Sequence, residues 1–522
     1  MKVQRALVSV SDKTGLEEFV KGLDKLGIEI ISTGGTAKRI SGLGIPVKLV
    51  SAYTGYPEML DGRVKTLNPK IHAGILALRD NKDHMLKLEE NGILTIDMVV
   101  VNLYPFEETV SREDVTKEEA IENIDIGGPT MLRSAAKNYR FVAAVSSPSQ
   151  YERVLRELQE NGSELAEDTL KALAEEVFAK TSRYDALIAR YLAKGEKTAS
   201  REEAELPDRI DFHFEKVRKL RYGENPHQHA AFYRDTSSRD AGICGLEQLQ
   251  GKELSFNNIL DLNAAFEMVR SFTSPTVSIV KHNNPCGVAT AETLEEAYLE
   301  ALDSDPLSAF GSIMGFNGVI DGKMAETILD KADFIECIIA PAYEEEALTV
   351  FKNKKNLRLL KVPLLVKSST SERDLKKIRG GALIQDIDER AVSRDDIKIV
   401  TKQKPSNDQL ESLLFAWKVV KYVKSNAIVL SRGTKTVGIG AGQMSRVDSV
   451  IIAIRKAAER AKGASLASDA FFPKTDSIEA AQKAGISSII QPGGSIRDEE
   501  IIEACNRLKI PMVFTGVRHF KH

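Results

Sequence analysis

The feature that most constrains this chain is a regular alternation of short apolar runs and amphipathic stretches across its first 150 residues. RALVSV (5–10) is followed by a helical pattern from about Gly15 to Leu26, then IEIIS (28–32), a second short helix and PVKLV (46–50). Later come DMVVVNLYPF (97–106) and FVAAVS (141–146). Strands that alternate with helices predict βαβ units and a parallel sheet. Two amphipathic helices are expected next, over 151–160 and 166–192, and then KGEKTASREEAELPDR (194–209), charged and polar with Pro207 near its end, reads as a linker.

A second block starts near Ile210. TVSIV, a helix near Leu294 to Leu302, SIMGFNGVI and a helix around Lys323 to Asp333 repeat the rhythm, and it restarts at a helix over Asp408 to Val423. AIVLS, TVGIGAG, a helix from Val447 to Lys462, SLASDAFFP, ISSII and PMVFTG follow. The two stretches share a loose plan: a K-H-N or K-S-N element beside a strand, a helix, and a later DPLSAFG or SDAFFP loop. A duplicated α/β subdomain is expected. With 522 residues, several domains are expected at about 150 residues each. The boundaries expected are 1–195 for the first domain, 196–210 for the linker, and 211–400 and 401–522 for two subdomains.

Seventy-two Lys and Arg against 75 Asp and Glu give a net charge of −3, without the basic excess of a dedicated nucleic-acid binder, so an anionic ligand must be met by a local cluster. Runs such as Met98 to Val101 and Ile486 to Ile490 fall far short of the roughly 18 apolar residues of a membrane span. The start MKVQRALVSVSDK is interrupted by Ser and Asp too soon for a signal peptide. Cys244, Cys286, Cys337 and Cys505 lie tens of residues apart with no C-x-x-C pair, so a reduced, cytoplasmic setting with no metal is expected.

In the first block, Ser32-Thr33-Gly34-Gly35-Thr36 follows a strand and opens a helix, an arrangement that suits an anion. A tight β-to-α turn explains the same five residues about as well. Ser11-Asp12-Lys13-Thr14-Gly15 sits at the equivalent end of the preceding strand, and carboxyl ends of parallel strands converge on one crevice. Arg63 and Lys65 bring two cations and Thr66 a hydroxyl, although a basic pair in a loop is more often plain surface. Asn102 and Tyr104 end an apolar strand, and Asp125-Ile126-Gly127-Gly128-Pro129 precedes a helix carrying Arg133 and Lys137. An anion cradle, cations, a phenol and a carboxylate together suggest a phosphorylated small molecule undergoing proton transfer.

SDKTG, STGGT, DGRVKTLNPKIHAGIL, NLYPF and IDIGGPTMLRSAAKN resemble, in order and spacing, the IMP cyclohydrolase half of a bifunctional purine-biosynthesis enzyme family. The resemblance implies a methylglyoxal-synthase-like parallel α/β domain. It implies that Ser11, Asp12, Lys13, Thr33, Gly34, Gly35, Thr36, Arg63, Thr66, Asn102 and Ile126 hold the nucleotide, and that Lys65, Tyr104, Asp125 and Lys137 serve ring closure. Intramolecular attack of a carboxamide on a formyl carbon needs held geometry, an oxyanion donor and a proton shuttle. Lys137 can shuttle a proton only if burial or nearby cations make it willing to lose one, while Asp125 can orient the attacking amide.

In the second block, RYGENPHQ (221–228) gathers a guanidinium, a phenol and an imidazole, and Lys281-His282-Asn283-Asn284-Pro285-Cys286-Gly287 follows the strand TVSIV. An ammonium beside an imidazole favours the neutral ring that a general base uses. Pro285-Cys286 matches half of the zinc-deaminase signature, but position 289 is Ala and no H-x-E precedes it. These motifs, with LSFNNILDLNAA, DPLSAFG, IIAPAYEEEAL, SNAIVL, GIGAGQMSRVDS, SDAFFP and TGVRHFKH, resemble the aminoimidazole-carboxamide ribonucleotide (AICAR) formyltransferase half of the same family. The implied fold is a duplicated cytidine-deaminase-like α/β region, and the implied assembly a homodimer with transferase sites at its interface.

The resemblance further implies 10-formyltetrahydrofolate as formyl donor and formylated AICAR (FAICAR) as the intermediate cyclised to IMP. It implies His282 as the base, with Lys281 and Asn426 stabilising developing charge. Arg221, Tyr222, Phe310, Gly311, Glu336 and Arg518 would bind the nucleotide, and Arg446, Val447, Phe471, Asp476, Ser495 and Ile496 would line the folate pocket. Position 336 is Glu where some members carry Asp, and the stretch 345–398, with its Lys352 to Asn356 run, matches least and reads as a solvated basic face. A nucleotide-sensing regulatory protein is the competing reading; it gives no role to Lys281-His282, RYGENPHQ or GVRHF. An RNA binder would need a basic stripe with interleaved aromatics, which one Trp and the charge balance do not supply.

Overall fold

The computed structural model describes residues 1–112, 114–193, 206, 210–236, 238, 240, 242–363 and 373–522. The expected linker, 196–210, lies outside the described residues except for positions 206 and 210. The chain forms two compact units, Met1–Asp211 and Phe212–His522.

Unit 1 is a five-stranded parallel sheet. Its strands are β1 (Arg5–Val10), β2 (Glu29–Ser32), β3 (Lys48–Leu49), β4 (Met98–Asn102) and β5 (Ala143–Val145), in the order β3-β2-β1-β4-β5. Ala6, Val8, Met98 and Val100 pack into one apolar cluster, while Leu7, Val99 and Val101 pack into another on the opposite face. Covering both faces explains why these strands read as unbroken apolar runs. Each such buried Val, Leu or Met side chain contributes about 1.5–3 kcal/mol. PVKLV yields only the two-residue β3, because Val50 already opens a helix, Val50–Thr54. The helices expected at 151–160 and 166–192 form as Tyr151–Glu160 and Glu167–Ala193. The chain runs outward from β1 to β3 and returns to the other side of β1 at β4. That reversal opens a crevice at the carboxyl ends of β1 and β4.

Unit 2 is built on a twelve-stranded sheet made of two like halves. In the first half, the hairpin Thr276–Lys281/Asn284–Thr290 is followed outward by Ser312–Phe316, Ile335–Ala340, Arg358–Lys361 and an antiparallel edge strand, Glu247–Gln250. In the second, Ile428–Arg432/Lys435–Gly440 is followed by Ser465–Ser468, Ser488–Gln491, Met512–Phe514 and the antiparallel edge Lys398–Ile399. Orientations repeat strand for strand, and the halves meet where Asn284–Thr290 pairs Lys435–Gly440.

The duplication is therefore real, but the motif pairing expected from the sequence is not the structural one. DPLSAFG precedes its strand, Ser312–Phe316, whereas SDAFFP follows Ser465–Ser468. The counterpart of Lys281-His282-Asn283-Asn284 is the turn Arg432-Gly433-Thr434-Lys435, not Lys424-Ser425-Asn426. The stretch 345–398 is likewise more than a basic face. Residues 352–356 are exposed, yet Phe351, Leu357, Leu359 and Leu360 are buried, and Arg358–Lys361 is an interior strand of the sheet. Two separate hairpins, Phe214–Leu220/Ala230–Asp235 and Arg373–Ile378/Gly381–Asp386, complete the unit.

Candidate active sites

In unit 1, Asn102 at the end of β4 ties the crevice together. Its Oδ1 accepts from the Ser11 and Asp12 amides at 2.6 and 3.0 Å, and its Nδ2 donates to the Asp12 carbonyl at 2.7 Å. Thr36 Oγ1 bonds both backbone groups of Val10, and Thr33 Oγ1 meets Ser9 Oγ at 2.9 Å. The helix Gly34–Ser41 starts here with no side chain capping its first amides. A Cβ on Gly34 or Gly35 would meet nothing within 4 Å, so packing does not demand glycine at either position. Gly34 is left-handed, with φ 42°, and a helix start whose first amides no side chain caps is the arrangement an anion uses.

Beside it, Asp125 accepts from the Gly128 amide at 2.9 Å, and the Tyr104 backbone N–H and the Lys65 ammonium also face its carboxylate. Burial outweighs these favourable partners and raises the Asp125 carboxyl above its ordinary value. A Cβ on Gly127 would lie 2.5 Å from Thr66 Oγ1, and one on Gly128 would lie 2.3 Å from the Asp125 carboxylate, so this glycine pair permits the close approach. Thr66 is buried, and Ile126 is exposed. Lys13 is exposed with its Nζ 3.3 Å from the Ser11 carbonyl, and Arg63 is engaged with Glu122 at the surface. Lys137 is exposed in the last turn of the helix Gly127–Lys137. Sequence reasoning missed Lys180, a partly buried ammonium held to the Ser146 carbonyl near Asp12, whose readiness to lose its proton burial increases.

In unit 2, Lys281 and Asn284 pair across the hairpin, leaving His282 and Asn283 as a two-residue turn. Both are left-handed, at φ 52° and 61°. The His282 ring is exposed, and Lys281 Nζ donates to the Phe310 carbonyl at 2.6 Å. Gly311, also left-handed, donates to the Phe334 carbonyl. Asn284 Oδ1 accepts from the Lys424 amide at 2.9 Å, which brings this turn against Ser425-Asn426.

There, the buried Arg446 guanidinium pairs with the fully buried Asp469, donates to Ser468 Oγ at 2.9 Å and donates to Asn426 Oδ1 at 2.6 Å. Asp469 also accepts from Ser425 Oγ at 2.5 Å, and Asn426 Nδ2 donates to the Gln443 carbonyl at 2.8 Å. Arg446 thus spends its donors on orienting Asn426. A cavity of about 500 Å³ is lined by Asn426, Arg446, Val447, Phe471, Asp476 and Arg518 among others. A second, of about 350 Å³, shares Phe471 with it and is lined by Ser495 and Ile496. All six expected folate residues therefore line these two spaces. Glu336 is committed to Arg358 at 2.7 Å, and Arg221 stacks on Tyr222 with 4.8 Å to the ring centre. Asp469, inside the SDAFFP motif, is not among the expected site residues; its pairing with Arg446 acts across the fold.

No described helix is long and apolar enough to cross a membrane. The family description "AICARFT/IMPCHase bienzyme" matches residues 135–456, and "MGS-like domain" matches residues 15–130. The chain is 52% identical over 521 residues to the bifunctional purine biosynthesis protein PurH of Acetivibrio thermocellus, covering 100% of both. It is 53% identical to the protein of that name from Bacillus mycoides, covering 99% of this chain and 100% of that one. A crystal structure of ForH matches with 35% identity and a TM-score of 0.35, covering 37% of this chain and 100% of its own.

Proposed function

The chain belongs to the AICARFT/IMPCHase bienzyme family of purine biosynthesis, and on that premise we propose how its residues divide two reactions. It is an AICAR formyltransferase and an IMP cyclohydrolase, and the family membership favours this over a nucleotide sensor. In our reading, 10-formyltetrahydrofolate is the formyl donor. The amine of AICAR attacks the formyl carbon while His282 takes its proton, the bond from that carbon to the folate nitrogen breaks, and tetrahydrofolate leaves. Lys281 and Asn426 stabilise charge on the formyl oxygen, and Asn426 is suited to this because Arg446 and the Gln443 carbonyl fix its amide. The cavities along Phe471 offer the folate an apolar shelf with Asp476 and Ser495 as polar partners.

FAICAR is then closed in unit 1. The bare amides of Gly34 and Gly35, with Ser11, Lys13, Thr33, Thr36 and Asn102, take the phosphate and ribose. Asp125 orients the carboxamide nitrogen toward the formyl carbon, Lys65 and Tyr104 supply donors to the oxygen, and water leaves. Lys137 completes the ring-closure set, and Lys137→Ala closing the ring at the wild-type rate would remove it. We also assign the chain to a cytoplasmic homodimer. Leu307, Met444 and Ile496, 88–102% exposed near the transferase residues, are the support for a partner covering that face. The boundaries 1–195, 211–400 and 401–522 remain our partition of the activities.

The observation that carries this reading is that each set of residues gathers within a unit of its own. Given AICAR and 10-formyltetrahydrofolate, the protein is expected to release IMP, and Asp125→Ala to accumulate FAICAR instead. Loss of both products in that variant would overturn the assignment.

A further inference from the structure

We propose that Asp261 is a positioning residue for formyl transfer, holding the left-handed turn that presents His282. The proposal rests on the reading of His282 as the base. The two halves of unit 2 supply the comparison. In both, a 14-residue helix opening with a serine capping box packs under the sheet before a two-residue hairpin turn. In the second half that turn is Gly433-Thr434, and glycine takes the left-handed position, with φ 55°. In the first half, the same position is His282, followed by Asn283, and both are left-handed without being glycine. Two-residue hairpins of this type favour Asn and Gly there, and an imidazole ring gains nothing from the conformation itself.

The sixth residue of each helix accounts for the difference. In the second half it is Ser412, whose Oγ meets Ser431 Oγ at 2.8 Å within the buried core. In the first it is Asp261, whose Oδ1 accepts from the Asn283 amide at 2.6 Å. The His282 amide also faces this carboxylate. With its side-chain nitrogen turned inward, Asn283 donates to Asp261 Oδ1 and to the Leu260 carbonyl, each at 3.1 Å. From the other side, Asn284 Nδ2 donates to the His282 carbonyl at 3.1 Å. The backbone of the turn is gripped while the ring has no hydrogen-bond partner among the described residues. At the sixth helix position a carboxylate grips the turn that carries the imidazole in the first half, and a serine bonded to Ser431 stands in the second.

The test compares variants of the full chain, with cyclohydrolase activity on FAICAR as an internal control. Asp261→Ala is expected to lower transferase kcat about tenfold to a hundredfold, the cost of a small misplacement, with little change in KM for AICAR. Asp261→Asn, which keeps an oxygen and the same volume, should stay within about threefold of wild type, and adding Asn283→Gly should recover part of the alanine loss. In a His282→Ala background, Asp261→Ala should cost nothing further. Unchanged kcat in Asp261→Ala, or the same fold-loss again in the His282→Ala background, would overturn the proposal. A fall in Asp261→Asn as deep as in Asp261→Ala would overturn the clamp even where the alanine variant folds poorly. His282→Ala with full transferase activity would overturn the reading of the base itself, and Asp261's role with it.

Discussion

The two sites, as we propose them, would hold an anionic nucleotide and move a proton with different materials. In unit 1 the parallel sheet does most of the work through main chain: uncapped amides at Gly34 and Gly35 and a β4 asparagine that braces the β1 loop. In unit 2 side chains do more of it: Asp261 grips the hairpin turn that carries His282, and the buried Arg446–Asp469 pair fixes Asn426. Backbone sites tolerate side-chain change but not backbone change. Side-chain sites reverse that sensitivity.

The largest effect expected from this contrast is His282→Ala, which should reduce transferase kcat by about 10²–10⁴-fold and leave FAICAR cyclisation untouched, measured by steady-state assays of each half-reaction. Next is Asp469→Ala. It strands the Arg446 guanidinium, whose side chain is only 5% exposed, and should destabilise unit 2 by about 3–5 kcal/mol in denaturant unfolding. Gly34→Ala should be milder, costing about 1 kcal/mol for the left-handed residue and raising KM for FAICAR while transferase kinetics stay constant.

The smallest effect is on pH dependence. Burial raises the Asp125 carboxyl above 3.8, so on acidification it takes its proton earlier than an ordinary aspartate. Cyclohydrolase activity should therefore show an acid limb above pH 3.8 that Asp125→Asn abolishes. The stability sign is opposite to that of a salt-bridged aspartate. Between the unfolded value and the raised folded one, the native state binds more protons, so Asp125's contribution to stability declines as pH rises through that window.

Much of the molecule was legible in the sequence where local pattern and tertiary context agree. The apolar runs of β1 and β4 sit between two cores, and STGGT opens a helix at the crevice as its residue types imply. Legibility failed where a segment's role is set by a distant partner. The motif Lys281 to Gly287 follows the strand TVSIV in the sequence, and in the structure its second half, from Asn284, begins a central strand of its own, with a register shift between Pro285 and Gly287. Arg358–Lys361 hides an interior strand beside a basic run. Arg446, expected to line the folate pocket, is also buried against Asp469, some twenty residues on. Asp261 and Asp469 sit inside LSFNNILDLNAA and SDAFFP, but only the folded chain shows what each one holds.

His282 and Asp125 are proposed to serve separate half-reactions within one chain. Mixing His282→Ala and Asp125→Ala proteins and supplying AICAR with 10-formyltetrahydrofolate tests it most directly. IMP should appear after a lag, as FAICAR made by the second protein is closed by the first. No IMP from the mixture, with each variant retaining its own remaining half-reaction, would contradict it.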